Sequence, residues 1–510
     1  MMEITEEQVR RIVEQVMNRL VSEAAASGIL NGSSGVSEKV SRGSSTTAAV
    51  AIPVDKKMTP EAKEEPLAVQ RASFTEMERL IDEAEQAQRD LAAMTLEKRK
   101  EIINNIRAVM LENLEILSRM AVEETGMGNI RDKQLKNRLA ILKTPGVEDI
   151  EPTAYTDDYG LTLIEHAPYG VIGSITPSTN ATETLINNGI GMIAAGNAVV
   201  FNPHPAAKKV SNYTISLFHR AILKADGPPG IVSAVSDPTI ESAQAMMRHP
   251  KVCLLVVTGG PGVVKAAMAS GKKVIAAGPG NPPVVVDETA DIEKAARDIV
   301  DGAGLDNNIV CICEKEILVV SSIADSLKEA MKKYGAYELN KSQIQKVTEL
   351  VIADPGRPGH EGAPNKKFVG KDAAVIASAI GIKVSPDVKI LLCEVEREHP
   401  LVWTEQLMPV IPIVRMGSAD EAIDYAVQCE HGFRHTASIH SKNIDRLSRM
   451  AKVMNCSVFV KNGPNYAGLG YEGPGFTSFT IASPTGEGMT RARTFTRERR
   501  CSLIGYFRII

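Results

Sequence analysis

Hydrophobic positions in the first twenty residues, MMEITEEQVRRIVEQVMNRL, recur at three- and four-residue steps. Ile4, Val9, Ile12, Val13, Val16 and Leu20 alternate with Glu6, Glu7, Arg10, Arg11, Glu14 and Arg19. That period predicts a short amphipathic helix over 1–20. Thr5 with Gln8 three residues on resembles a capping box at its start. A helix this short is marginal alone in water, so its apolar stripe needs a partner surface, the body of the protein or another copy. The pattern then disappears: residues 21–70 are rich in Ser, Gly, Ala and Thr with little to bury, and a flexible linker is expected there. So long a tether favours docking onto a separate partner.

From Phe74 the periodicity returns. FTEMERLIDEAEQAQRDLAAM and EKRKEIINNIRAVMLENLEILSRMAVEET read as helices. The short β-rich runs GVIGSIT, NAVVFN, GIVSAV, VCLLVVTG, KVIAAG and PPVVVD then alternate with helical stretches, which predicts a parallel, doubly wound α/β sheet. A second α/β set follows, with KEILVV and VIPIVR as its clearest strands. TAYTDDYGLTLIEH reads as a hairpin turning at Asp157–Gly160, and the basic end RARTFTRERRCSLIGYFRII as a further pairing strand. Ribbons of this kind suit exchange between subunits, so a homo-oligomer, dimer or tetramer, is expected. With domains of ~150 residues, a chain of 510 residues has room for about three.

A net charge of −4 gives no reason to expect nucleic acid or an anionic membrane as partner. No apolar run approaches the ~20 residues that span a bilayer, and the N-terminus lacks the apolar core of a secretory signal, so an intracellular protein is expected. The seven cysteines are an odd, sparse set, which argues against a disulfide framework. No C-x-x-C pair accompanies Cys311 and Cys313, and no metal is expected.

No G-x-G-x-x-G follows any of these strands, and there is no Walker A loop or H-E-x-x-H. VTGGPGVVKAA is a strand, a glycine turn and a helix start, a form that brings backbone amides to a phosphate but also arises for purely steric reasons. The order of segments is more informative. APYGVIGSITPSTNATET, AAGNAVVFNPHP, GPPGIVSAVSDP, VVTGGPGVVKAA, AAGPGNPPVVVD, DNNIVCICEK and TEQLMPVIPIV follow one another as in the aldehyde dehydrogenase superfamily. The resemblance runs from about residue 72 to the C-terminus. Within it the chain is most similar to the CoA-acylating branch of bacterial microcompartments, the propionaldehyde and acetaldehyde dehydrogenases. The N-terminal helix and linker resemble the encapsulation peptide of those enzymes. The implied fold is two doubly wound α/β domains with a β-ribbon oligomerisation arm: a cofactor-binding domain over 71–283 with the arm at about 150–165, a catalytic thiol domain over 284–463, and a return over 464–510.

By this resemblance Cys311 is the nucleophile that adds to an aldehyde carbonyl and becomes a thioester, and Asn180 donates to the developing oxyanion. Thr176, Pro177, Asn202, Pro203, Thr258, Gly259, Gly260, Gly278 and Glu405 match the cofactor-binding positions, Glu405 at the nicotinamide ribose. NAD is the implied cofactor, its selectivity over NADP left open, and CoA the co-substrate, entering the same cleft after NADH leaves. The departures from the hydrolytic pattern carry weight. Ala277 stands where hydrolytic relatives have a glutamate that activates water, which favours transfer to CoA, since a thiol needs no such base. Asn202 replaces a usual lysine and Leu407 an aromatic. Cys313 is expected to pack. His360 and His435 either face solvent or orient a phosphate or move a proton.

The implied reaction is oxidation of a short aliphatic aldehyde, propionaldehyde or acetaldehyde, to its acyl-CoA. It would take place in a microcompartment lumen in the bacterial cytoplasm, with residues 1–20 engaging shell or core proteins. Alternatives are hydrolysis or acyl-phosphate reduction on the same fold, or a degenerate body serving as a shell-interaction protein.

Overall fold

The structure, a computed structural model, describes residues 67–510, with side chains from residue 75 onward. The expected helix over 1–20 and the linker up to residue 66 lie outside the described residues. Four helices open the body: α1 (Leu67–Ala92), α2 (Leu96–Glu112), α3 (Leu114–Thr125) and α4 (Ile130–Lys143). The single helix read over 97–125 is in fact two. Asn113 leaves helical geometry (φ −106°, ψ 13°) and its side-chain amide donates to the Val109 carbonyl at 2.7 Å, the competition with backbone that makes Asn a poor helix-interior residue. Asn129 caps α4 by accepting from the Asp132 N–H at 2.9 Å.

Next come β1 (Thr153–Asp157) and β2 (Gly160–Pro168), a hairpin in the register Asp157 to Gly160 expected from the sequence. The C-terminal strand pairs antiparallel with β2 from Thr496 opposite Pro168 to Ile504 opposite Gly160, so the basic tail does supply a pairing strand.

The first large sheet contains β3 (Val171–Ile175), β4 (Ala198–Asn202), β5 (Val232–Ala234), β6 (Val252–Thr258) and β7 (Lys273–Ala277). All are parallel, in the order β5-β4-β3-β6-β7. Helices α5 (Ala181–Ala194), α6 (Lys208–Lys224), α7 (Ile240–Arg248) and α8 (Pro261–Met268) connect them. The strands are apolar on both faces. Ile172, Val199 and Leu254 pack with residues of α2, α5 and α6, while Val171, Val200 and Leu255 pack with Met77, Ile81 and Met246. The winding reverses between β3 and β6, and such a reversal opens a crevice at the carboxyl ends of the strands.

The second sheet has seven parallel strands in the order β10-β13-β14-β9-β8-β15-β16. In chain order these are β8 (Pro283–Val286), β9 (Glu316–Val320), β10 (Ala336–Glu338), β13 (Ile390–Glu394), β14 (Val410–Met416), β15 (Thr436–His440) and β16 (Val458–Lys461). Between β10 and β13 lies the small hairpin β11 (Ile352–Asp354) and β12 (Ala363–Pro364). A second small pair, β17 (Ile481–Ala482) and β18 (Gly488–Met489), precedes the C-terminal strand β19 (Thr496–Ile504). One sequence reading is corrected. PPVVVD, counted with the first set, pairs with β9 and β15 in the second sheet. Periodicity cannot assign a buried strand to a sheet, because both sheets ask for the same apolar residues.

Candidate active site

Parallel strands end together, so the topology alone lines up residues distant in sequence. Across the first sheet the carboxyl ends present Asn202 on β4, Thr176 after β3, Thr258 on β6 and Ala277 with Gly278 on and after β7. Pro177 and Pro203 follow in the same loops. Gly259 and Gly260 form the turn from β6 into α8, whose first residue is Pro261, and a Cβ on Gly260 would meet nothing within 4 Å. The Thr176 hydroxyl is buried without a partner, whereas Asn202 Oδ1 lies 2.6 Å from Ser242 Oγ and Thr258 Oγ1 2.8 Å from Thr480 Oγ1. A crevice at the strand reversal, an unpaired hydroxyl inside it and a helix N-terminus over open space fit the ribose and phosphates of a dinucleotide.

Cys311 sits in a turn that follows helix α9 (Ile292–Gly304) and the short 3₁₀ segment Leu305–Asn308. Asp306, Asn307 and Asn308 all have positive φ (48°, 56° and 65°), a conformation that Asn and Asp tolerate better than other side-chain-bearing residues. Their side chains hold it. Asn307 Nδ2 donates to the Gly370 carbonyl and Asp372, and Asn308 Nδ2 to the Ala303 and Glu314 carbonyls. The turn points the two cysteines apart. Cys311 is half-buried, while Cys313 is fully buried in the core beneath the first sheet, its thiol 3.8 Å from the Leu305 carbonyl. Cys313 therefore packs, as expected.

Burial pushes the Cys311 thiol up to about 12, and the nearby Glu405 carboxylate pushes the same way; Lys315 and Lys136 oppose them. Lys315 is fully buried, and its ammonium donates to Asn308 O at 2.7 Å and Asn308 Oδ1 at 2.5 Å. Glu405 is itself raised by burial to about 7 and accepts from the Gly280 N–H at 3.3 Å. Asn180 is 7% exposed, and its Oδ1 accepts from Lys136 Nζ at 2.6 Å. Behind it lie four buried charges, Lys133 and Lys136 from α4, Glu183 from α5 and Asp306 from the cysteine turn.

The segment 278–282 that joins the two sheets passes through this site. A Cβ on Gly280 would stand 2.9 Å from both the Cys311 carbonyl oxygen and the His435 ring. Asn281 Nδ2 donates to the Val402 and Cys429 carbonyls, and the Lys315 N–H donates to the Pro282 carbonyl. His435 is fully buried, its Nδ1 2.8 Å from Thr436 Oγ1 and its Nε2 unpartnered; burial pulls its pKa down to about 4, leaving a neutral imidazole. His360 instead lies on the hairpin β11–β12, exposed, with Nε2 2.8 Å from Asp354 Oδ2. Sequence reasoning missed Lys133, Lys136, Glu183, Asp306, Lys315 and Gly280. The lysines three residues apart in α4 were a signal, since that spacing shares a helix face, but nothing in the sequence says the face is buried.

Known proteins similar to this chain bear on this arrangement. The family model described as "Aldehyde dehydrogenase family" matches residues 53–349. An acetaldehyde dehydrogenase (acetylating) of Bilophila wadsworthia is 50% identical over 444 residues, covering 86% of this chain and 91% of the relative. The crystal structure of Rhodopseudomonas palustris propionaldehyde dehydrogenase, with bound CoA and an acylated cysteine, superposes with TM-score 0.82 at 50% identity, covering 84% of this chain and 97% of that one. A propionaldehyde dehydrogenase from the fucose utilisation bacterial microcompartment of Clostridium phytofermentans gives TM-score 0.82 at 50% identity, over 85% of this chain and 98% of that one.

Proposed function

The chain belongs to the aldehyde dehydrogenase family, and from that premise we propose that it is a CoA-acylating enzyme that converts a short aliphatic aldehyde, propionaldehyde or acetaldehyde, with NAD and CoA into the acyl-CoA. The observation that carries the reading is the pairing of a half-buried thiol at Cys311 with β7 ending in Ala277. The nucleophile is present, and the position from which hydrolytic relatives activate water holds a methyl group.

In this reading Cys311, as its thiolate, adds to the carbonyl carbon, and the carbonyl oxygen becomes an alkoxide beside Asn180 Nδ2 and the Cys311 backbone N–H. A nicotinamide bound here would supply the two-electron acceptor for oxidation of this adduct to a thioester. Thr176, Pro177, Asn202, Pro203, Thr258, Gly259, Gly260 and Gly278 hold the dinucleotide along the strand ends, and Glu405 its nicotinamide ribose. The CoA thiolate then attacks the thioester carbon, takes the acyl group and returns the Cys311 thiolate. Thiolates exchange on thioesters without the strong base that water requires. His435, neutral and with Nε2 free of partners, is available to hydrogen-bond a group of CoA, though burial leaves it a weak base.

The same proposal makes 71–283 the cofactor domain, 284–463 the thiol domain and 464–510 a return to the first. It makes the sheet β1-β2-β19 a subunit-exchange arm in a dimer or tetramer, and residues 1–20 an encapsulation helix that engages shell or core proteins in a microcompartment lumen. Residues 1–20 fused to a fluorescent protein should co-localise with shells, and diffuse fluorescence would count against targeting. The reaction is tested by following NADH absorbance with propanal and NAD, with and without CoA, and weighing the product. Propionyl-CoA formed only with CoA is expected, and Cys311→Ala should abolish it. Propionate formed without CoA would overturn the reading drawn from Ala277.

A further inference from the structure

Asn180 occupies the N-cap position of α5, where an Asn side chain ordinarily accepts a hydrogen bond from the first turn of the helix. Here it makes no such bond. Its Oδ1 turns instead to Lys136 Nζ, 2.6 Å away, and its Nδ2 keeps only a contact at 3.5 Å with Thr179 Oγ1, the outer limit of a hydrogen bond. An ammonium carries donors and no acceptor. The amide can therefore face Lys136 only with its oxygen, since the flipped amide would set N–H against N–H.

Lys136 also forms ion pairs with Asp306 Oδ2 at 2.5 Å and Glu183 Oε1 at 3.2 Å. Lys133, one turn earlier on the same face, takes the Thr179 carbonyl at 2.7 Å and the same Asp306 oxygen at 2.9 Å. Asp306 Oδ1 accepts from the Asn129 N–H and its own N–H donates to Asp132, so the aspartate is held from both sides. Asp306 begins the left-handed turn that leads to Cys311.

We propose that Lys136 is a positioning residue for the oxyanion site: it locks the Asn180 amide with Nδ2 toward the reacting carbonyl and, through Asp306, ties that amide to the turn bearing Cys311. This deepens the acyl-transfer reading and rests on it. The lysine touches no substrate. Its effect runs through Asn180, which makes the dependence testable as a failure of additivity.

The experiment compares wild type, Asn180→Ala, Lys136→Met and the double variant, measuring kcat and KM with propanal, NAD and CoA. Loss of the oxyanion donor should lower kcat by about 10²-fold or more. Lys136→Met should lower kcat to a similar degree while KM changes by less than about threefold. In the Asn180→Ala background, removal of Lys136 should cost almost nothing further. Lys136→Met combined with Glu183→Gln removes one charge of each sign; it covers the case in which the single variant does not fold, and it should show the same loss of kcat. Undiminished kcat in either Lys136 variant, or a loss that multiplies with that of Asn180→Ala, overturns the inference. Wild-type protein that makes no acyl-CoA overturns the functional reading and this inference together; active wild type with indifferent Lys136 variants overturns this inference alone.

Discussion

At the scale of single residues the unusual fact is how unready Cys311 is. Its pKa is pushed up to about 12, well above the ordinary cysteine range, so the resting side chain is a thiol near pH 7. Burial is the larger cause and Glu405 the next. Glu405 titrates near 7, so its charge appears, and opposes the thiolate, as pH rises through that value. Glu405→Gln removes the opposing charge. The variant should match wild type in Cys311 alkylation by iodoacetamide near pH 6 and exceed it near pH 8 by about tenfold, the ~1.4 kcal/mol of a one-unit shift. Mass spectrometry of the Cys311 peptide separates this signal from the exposed Cys253 and Cys501. Equal rates at both pH values would mean that Glu405 is not felt at the thiol.

At the scale of elements, the turn over 306–308 is held from outside as much as from within. Gly128, between α3 and α4, has φ +71°, and a Cβ there would fall 1.9 Å from Asp306 Oδ1. Gly128→Ala is therefore expected to destabilise the fold by ~1–3 kcal/mol and to lower kcat by displacing Asp306, read from a denaturant midpoint and the NADH assay. Little of this was legible beforehand. Strand and helix positions were, because Val171–Ile175 or Val252–Thr258 can bury both faces only inside a parallel sheet. Cys311, Asn180 and Glu405 stood out through a family resemblance. Lys136 did not, because its meaning depends on a face of α4 meeting α5 and the cysteine turn, contacts between residues more than forty positions apart. The break at Asn113 was missed for the opposite reason: it is wholly local, but the apolar period continues across it.

At the scale of the whole molecule, the sheet β1-β2-β19 stands out by its exposure. Every residue of β19 after Thr496 is exposed, Leu503 and Ile504 among them, and so are Tyr506, Phe507, Ile509 and Ile510 beyond it. So much apolar surface on a pairing strand fits a site for a second copy. Truncation after Phe495 should leave the body folded, since β19 buries little, while the mass by light scattering falls toward one subunit. A full-length chain that already runs as a monomer would overturn the proposed arm. The path of the chain between the two large sheets has a different consequence, for anyone recombining this enzyme with a relative. The boundary between β7 and β8 looks like the natural crossover. Yet 278–282 is where Gly280 abuts the Cys311 carbonyl and His435, and where Asn281 and Pro282 bond to helix ends and a loop around the second sheet. Shuffled libraries cut there should be poor in active clones, and those that inherit 278–315 from one parent as a single block should be richer.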